Sequence, residues 1–259
     1  MTAVIALANQ KGGVGKTTTA VNLGAALAAS GQEVLIVDLD PQANATAALG
    51  MRGQSGHSTY ELLLEEAEIA AVTVATGCER LSLVPSTPDL AGAEIELASM
   101  MAREYRLKRA LEGAIARYRF VIIDSPPSLG LLTINGLTAA QDVIVPVQCE
   151  YLALEGLGQL THTLDLVRRN LNAGLRLRGL LLTMFDRRTS LSQQVADEVR
   201  RHFPNTFRSV IPRSVRVSEA PSHGLPINRY DPTSPAALAY DALAIEVLEA
   251  VQETMEVAP

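Results

Sequence analysis

Ala3-Val4-Ile5-Ala6-Leu7-Ala8-Asn9-Gln10-Lys11-Gly12-Gly13-Val14-Gly15-Lys16-Thr17-Thr18 stands almost at the start of this 259-residue chain. Its first six residues are apolar and read as a buried strand. A glycine-rich turn follows, and Thr17 to Ala29 then reads as a helix rich in Ala and Leu, with Gly31 at a C-terminal cap position. Glycines let the backbone approach a phosphate and point successive N–H groups at it, and a helix N-terminus adds partial positive charge at the same place. Lys16 is then placed to reach β- and γ-phosphates, and the Thr17 hydroxyl to ligate Mg²⁺. The pattern Gly-x-x-x-x-Gly-Lys-Ser/Thr is not met in full, because Gln10 occupies the first glycine position and Lys11 adds a second lysine. A plain flexible turn is the weaker reading, since strand and helix flank the loop in the right order.

Working outward, Val34-Leu35-Ile36-Val37 is a second strand ending at Asp38, with Asp40 just beyond it. Leu81–Val84, Phe120–Ile123, Val143–Val147 and Leu180–Met184 are further strand candidates, the third-from-last ending at Asp124. Helical patterns fit Tyr60–Glu66, Leu90–Ala98, Glu104–Arg117, a long stretch from about Leu154 to Leu171, Ser192–His202 and Pro235–Val251. Strands alternating with helices predict βαβ units: an α/β fold with a mostly parallel, twisted sheet covered by helices on both faces. No repeat or low-complexity linker divides the chain, so residues 1–259 read as one domain. In open α/β sheets ligands bind outside the carboxyl ends of the strands. One Asp at such an end is often a turn residue. Asp38, Asp40 and Asp124 beside a phosphate loop make a site suited to Mg²⁺ and an activated water. On residues alone this reaches nucleoside-triphosphate hydrolysis, and a GTPase-style Asn-Lys-x-Asp base reader is absent.

Composition narrows the surroundings. The chain is 47% hydrophobic but only 4% aromatic, without Trp, which suits aliphatic strands buried on both faces. Cys78 and Cys149 form no metal-ligand spacing and read as small apolar fillers; His57, His162, His202 and His223 are scattered. With no basic n-region at the N-terminus and no apolar run of about 18 residues, a soluble, cytoplasmic protein is expected. The net charge is −6, yet from Arg168 to Arg216 eleven arginines face three acids (Asp186, Asp197, Glu198). The remainder then holds eleven basic and twenty-five acidic residues. That asymmetry suggests an anionic partner on one side, against the alternative of solvated or paired surface arginines.

With Lys11-Gly12-Gly13-Val14-Gly15-Lys16-Thr17-Thr18 and Asp38-Leu39-Asp40-Pro41-Gln42, the chain resembles the deviant-Walker ATPases of the ParA/Soj type, which partition chromosomes and plasmids. The likeness continues through Asn44-Ala45-Thr46, Ile123-Asp124-Ser125-Pro126-Pro127, Thr183-Met184-Phe185-Asp186 and Ile211-Pro212-Arg213-Ser214-Val215-Arg216-Val217-Ser218-Glu219-Ala220-Pro221-Ser222. Two departures stand out. Ala43 occupies a position where glycine is usual, and Ser214 one where Asn is common.

The resemblance implies ATP and Mg²⁺ as cofactors and an ATP-dependent homodimer. Lys11 would cross the dimer to the partner's phosphates, and Gly12 would lie at that interface. Gly13, Val14, Gly15, Lys16, Thr17 and Thr18 would hold phosphates and Mg²⁺. Asp40 would orient the attacking water, and Asp124 would act on Mg²⁺ through water. Pro212 and Ser214 would line the adenine, and Arg188 and Arg216 would bind double-stranded DNA without sequence preference. A ParB-type centromere-binding protein would stimulate hydrolysis, and the protein would sit on the nucleoid.

Three other classes compete. A MinD-like, membrane-associated division-site ATPase would end in a basic amphipathic helix, whereas Ile245–Glu256 carries Glu246, Glu249, Glu253 and Glu256 and no Lys or Arg, so no membrane partner is expected. An iron–sulfur electron carrier would need its cysteines in a glycine-rich context that Cys78 and Cys149 lack. A ligase such as a cobyrinate amidase would be expected to need an additional substrate domain.

Overall fold

The computed structural model describes residues 2–53, 56–113, 116–150 and 156–257, the last three by their backbone alone. In chain order the elements are β1 (Ala3–Leu7), α1 (Lys16–Ala29), β2 (Val34–Asp38), α2 (Asn44–Ala48), α3 (Thr59–Leu63), α4 (Ile69–Val72), β3 (Val74–Ala75), β4 (Leu81–Val84) and α5 (Leu90–Ala98). After a 3₁₀ turn at Arg103–Tyr105 come α6 (Arg106–Glu112), β5 (Phe120–Asp124), α7 (Leu131–Ala139), β6 (Asp142–Gln148), α8 (Leu157–Asn170), β7 (Arg176–Phe185), α9 (Ser190–His202) and β8 (Thr206–Pro212). Then α10 (Val215–Glu219), a 3₁₀ turn at Ala220–His223, α11 (Ile227–Tyr230) and α12 (Pro235–Val257) complete the chain.

The eight strands form one sheet in the order β3-β4-β2-β5-β1-β6-β7-β8, parallel throughout except for the short β3. The period of two decides which way each side chain faces. In β1, Val4 and Ala6 join a core with α3 and α5–α9, while Ala3, Ile5 and Leu7 join the opposite core with α1, α2, α11 and α12. Helices on both faces explain why the inner strands are apolar without alternation. This is the α/β architecture expected from the sequence.

Leu90–Ala98 and Leu81–Val84 have the expected bounds. The helix expected over Glu104–Arg117 is instead a 3₁₀ turn followed by α6, and residues 114 and 115 lie outside the described residues. Residues 154 and 155 of the expected long helix also lie outside them, and α8 starts at Leu157. The parallel arrangement puts the ends of β1, β2, β5 and β6 side by side. Register places Asp38 of β2 directly opposite Asp124 of β5, which is itself opposite Leu7 of β1. The glycine loop therefore leaves the sheet one strand away from Asp124 and two strands away from Asp38.

Candidate nucleotide site

The loop between β1 and α1 holds its shape by bonds at both ends. Asn9 reaches across to β6, its Nδ2 donating to the Pro146 carbonyl at 2.8 Å, and its Oδ1 accepts the Lys11 N–H at 3.0 Å. The Thr183 hydroxyl, at the end of β7, donates to the Val14 carbonyl at 2.8 Å. Gly13 and Gly15 adopt φ of 74° and 90°, in the left-handed region that a side chain disfavours. Gly15 caps α1 without a side-chain acceptor, so N–H groups of the first helical turn remain available to an anion.

Lys16 is 6% exposed, and its ammonium donates to the Lys11 carbonyl at 3.3 Å. Burial lowers its pKa, opposed by the carboxylates of Asp124 and Asp40. Asp124 is fully buried, and neither carboxylate oxygen has a hydrogen-bond partner among the described residues. Its pKa is raised well above the carboxylate range by burial and by Asp38, while Thr17 and Lys16 lie near enough to oppose the shift. Asp38 is also buried, and its pKa is pushed up to about 6. Burial wins there over bonds from the Thr46 hydroxyl (2.7 Å), the Thr46 N–H (2.8 Å) and the Asp40 N–H (3.2 Å).

Two bare oxygens on a buried carboxylate, facing a buried ammonium, fit a hard divalent cation held directly or through water. Among the described residues no group of three or more acidic, His or Cys side chains closes into an all-protein metal site. That suits Mg²⁺, which keeps waters and takes much of its coordination from substrate phosphates. Thr17, Asp40 and Asp124 are the residues that would hold it.

The other expected residues lie at the same end of the sheet. Pro212 and Ser214 line one cavity of about 850 Å³ together with Phe185, Asp186, Arg188 and Arg213. Thr183 links the strand leading into this cavity to the phosphate loop. Arg188 is 85% exposed and forms a two-pronged pair with Asp186 (2.9 and 2.7 Å). Arg216 pairs with Glu219 at 3.0 Å and Asp231 at 3.7 Å. Both arginines are thus engaged with carboxylates of their own chain. Sequence reasoning assigned no role to Asn9, Thr46, Ser86 or Thr183; their only local signal is a small polar residue near a strand end or loop.

A site of this shape holds a run of phosphates along the loop while carboxylates manage a cation and a water at its far end. That is the work of a P-loop nucleoside-triphosphate hydrolase. Comparison with known proteins narrows the class. Residues 2–177 match a family described as an AAA domain. The sporulation initiation inhibitor protein Soj of Bacillus subtilis is 55% identical over 246 residues, 94% of this chain and 97% of that protein. The chromosome partitioning protein ParA of Myxococcus xanthus is 50% identical over 95% of this chain and 88% of its own. The chain belongs to the Soj/ParA family of chromosome-partitioning ATPases, and it is an ATPase that uses ATP and Mg²⁺.

A solved structure named cobyrinic acid a,c-diamide synthase, from Mycobacterium smegmatis with bound ADP and magnesium, superposes with a TM-score of 0.85 at 42% identity. It covers 97% of this chain and 96% of its own. A chain bearing that name therefore carries no additional large domain, and the expectation that such a ligase needs one does not hold for it.

Proposed function

We propose that the protein segregates DNA as an ATP-sandwiched homodimer. ATP joins two subunits through their phosphate loops, the pair holds duplex DNA without sequence preference, and a ParB-type centromere-bound partner triggers hydrolysis and release on the nucleoid. The observation that carries this reading is the state of Lys11 and Gly12. Lys16 is accounted for within the chain, whereas the Lys11 ammonium makes no hydrogen bond or ion pair among the described residues. Gly12 is exposed, its φ is not positive, and an added Cβ would meet only the Pro127 Cβ at 4.0 Å. Nothing in the monomer requires glycine there. A lysine without a partner beside an unneeded glycine fits a surface against which a second loop closes.

In this reading Lys16 and the loop N–H groups of Gly13 to Thr18 bind the phosphates. Asp40 orients the attacking water, Asp124 serves the cation, and Pro212 and Ser214 border the base. Bound Mg²⁺ supplies neutralisation of the charge on the β- and γ-phosphate oxygens. Arg188 and Arg216 contact DNA phosphates after leaving their carboxylates. A membrane-associated role is disfavoured by the acidic α12, where Glu246, Glu249 and Glu253 would be repelled by anionic lipid. Among the described residues, no helix is long and apolar enough to cross a membrane.

Gel filtration of Asp40→Ala with and without ATP-Mg²⁺ tests the reading. The variant should bind ATP, accumulate as a dimer and turn over at only a small residual rate, because phosphate contacts remain while water positioning is lost. Gly12→Val should bind ATP and stay monomeric. An Asp40→Ala protein that remains monomeric at saturating ATP, or a Gly12→Val protein that dimerises normally, contradicts the sandwich.

A further inference from the structure

We infer that Thr46 and Ser86 are positioning residues for ATP hydrolysis, fixing Asp40 through a closed ring of hydrogen bonds. The ring can be followed bond by bond. The Thr46 hydroxyl donates to Asp38 Oδ2 at 2.7 Å and accepts the Ser86 N–H at 2.9 Å. The Ser86 hydroxyl donates to the Asp40 carbonyl at 2.8 Å, and the Asp40 N–H returns to Asp38 Oδ1 at 3.2 Å. All four residues are buried, at 0–6% exposure. They come from three separate segments: the end of β2, helix α2 and the connection from β4 to α5.

The inference rests on the reading of Asp40 as the water-orienting carboxylate. Its backbone is gripped on both sides by the ring, and its Oδ1 accepts the Gln42 N–H at 2.9 Å. Oδ2 carries no hydrogen bond among the described residues and is the atom left to face a water. A small displacement of a catalytic group costs rate far more than it costs substrate binding, with losses of about 100-fold for 1 Å. Gln42, Thr46 and Ser86 line a cavity of about 520 Å³, which leaves space on the Thr46–Ser86 side of the ring if it is cut. Neither hydroxyl belongs to the phosphate loop, so nucleotide affinity should not depend on them.

The experiment is steady-state ATPase kinetics with nucleotide affinity measured in parallel, on the full chain. Ser86→Ala deletes the donor to Asp40. Thr46→Val keeps the shape but removes both roles of the hydroxyl. Each should lower kcat about 10- to 100-fold while KM and ATP affinity stay within about twofold, and Thr46→Ser should retain the wild-type kcat. Introduced into Asp40→Ala, neither substitution should lower the residual rate further, because groups acting through one residue are not additive. If Thr46→Val does not fold, Ser86→Ala and its combination with Asp40→Ala decide the matter by the same split. Wild-type kcat in the folded variants overturns the inference, as does an equal loss of nucleotide affinity, or a further loss in the Asp40→Ala background. Full turnover by Asp40→Ala alone would instead overturn the reading of Asp40.

Discussion

Ala43 holds a backbone conformation that its side chain disfavours. Its φ is 51° and ψ 40°, and its N–H donates to the Asp40 carbonyl at 2.9 Å where α2 begins. The sequence already marked this position as one where related chains carry glycine, and the fold keeps the glycine-type turn. A left-handed L-residue costs about 1–2 kcal/mol, and the greater freedom of glycine in the unfolded chain returns about half of that. Ala43→Gly should therefore raise stability by about 0.5–1 kcal/mol, read as a Tm higher by roughly 1–4 °C. A lower Tm would show that the turn is not strained. Asp38 and Asp124 make a second prediction at this scale. Both have pKa values raised by burial, so the folded, nucleotide-free protein holds protons that the unfolded chain releases. Their contribution is complete below the unfolded carboxylate value of about 4 and is lost as pH rises through the raised folded values, about 6 for Asp38 and well above its ordinary value for Asp124. The wild type should lose stability relative to Asp124→Asn over that rise, and Mg²⁺-nucleotide should diminish the difference. Parallel pH curves for the two proteins would contradict the shift.

At the level of elements, β8 is the weakly paired edge of the sheet. It meets β7 at only Leu180–Thr206, Leu182–Val210 and Phe185–Pro212, with irregularities between them. The neighbouring helix supplies what a further strand would. The Glu246 carboxylate of α12 accepts the backbone N–H groups of Arg208 at 2.9 Å and Ser209 at 2.7 Å. Occupied N–H groups cannot template pairing with another chain. Burial pushes the Glu246 pKa up, but the bonds from Ser209 and Arg208 prevail and lower it, so this support exists above an unfolded value of about 4.3 and fades as pH falls. Glu246→Ala should cost about 1 kcal/mol and make light scattering rise with concentration, whereas Glu246→Gln should scatter less. Equal scattering by Glu246→Ala and wild type would remove the edge-capping role. The same strand shows where the sequence was hard to read. Arg208 and Ser209 break the apolar run and Pro212 ends it, while its support comes from a residue 37–38 positions later. Helix α7 was missed for the opposite reason: Leu132, Thr133, Asn135, Gly136 and Leu137 are all buried, so no polar face marks a helical period. The phosphate loop and the strands ending in Asp38 and Asp124 were legible because each signal is local. The Thr46–Ser86 link is not, since its partners stand 40 residues apart.

For the molecule as a whole, the cationic stretch read along the chain is not a bare cationic surface. Of the eleven arginines from Arg168 to Arg216, eight are paired among the described residues, mostly with acids from outside the stretch such as Asp142, Glu150, Glu219 and Glu246. DNA phosphates would have to displace carboxylates, and each freed carboxylate takes up a cation. The log–log salt slope for the ATP dimer should then be shallower than about 0.9 per arginine contact. Arg188→Ala in both subunits should flatten it by less than about 2. Anisotropy with random-sequence DNA, using Asp40→Ala to hold the dimer, measures this; an Arg188→Ala/Arg216→Ala protein with an unchanged slope would take these residues off the DNA. The sheet order has a consequence in time as well. β1 begins at the third residue, yet its neighbours on either side are Phe120–Asp124 and Asp142–Gln148. At about 5–20 residues per second of synthesis, the glycine loop waits on the order of ten seconds before either flank leaves the ribosome. During that interval it belongs to an unpaired hydrophobic strand, exposed to chaperones and to neighbouring nascent chains. ATP cannot rescue the chain so early, because the pocket that would recognise it is assembled only when the second half arrives.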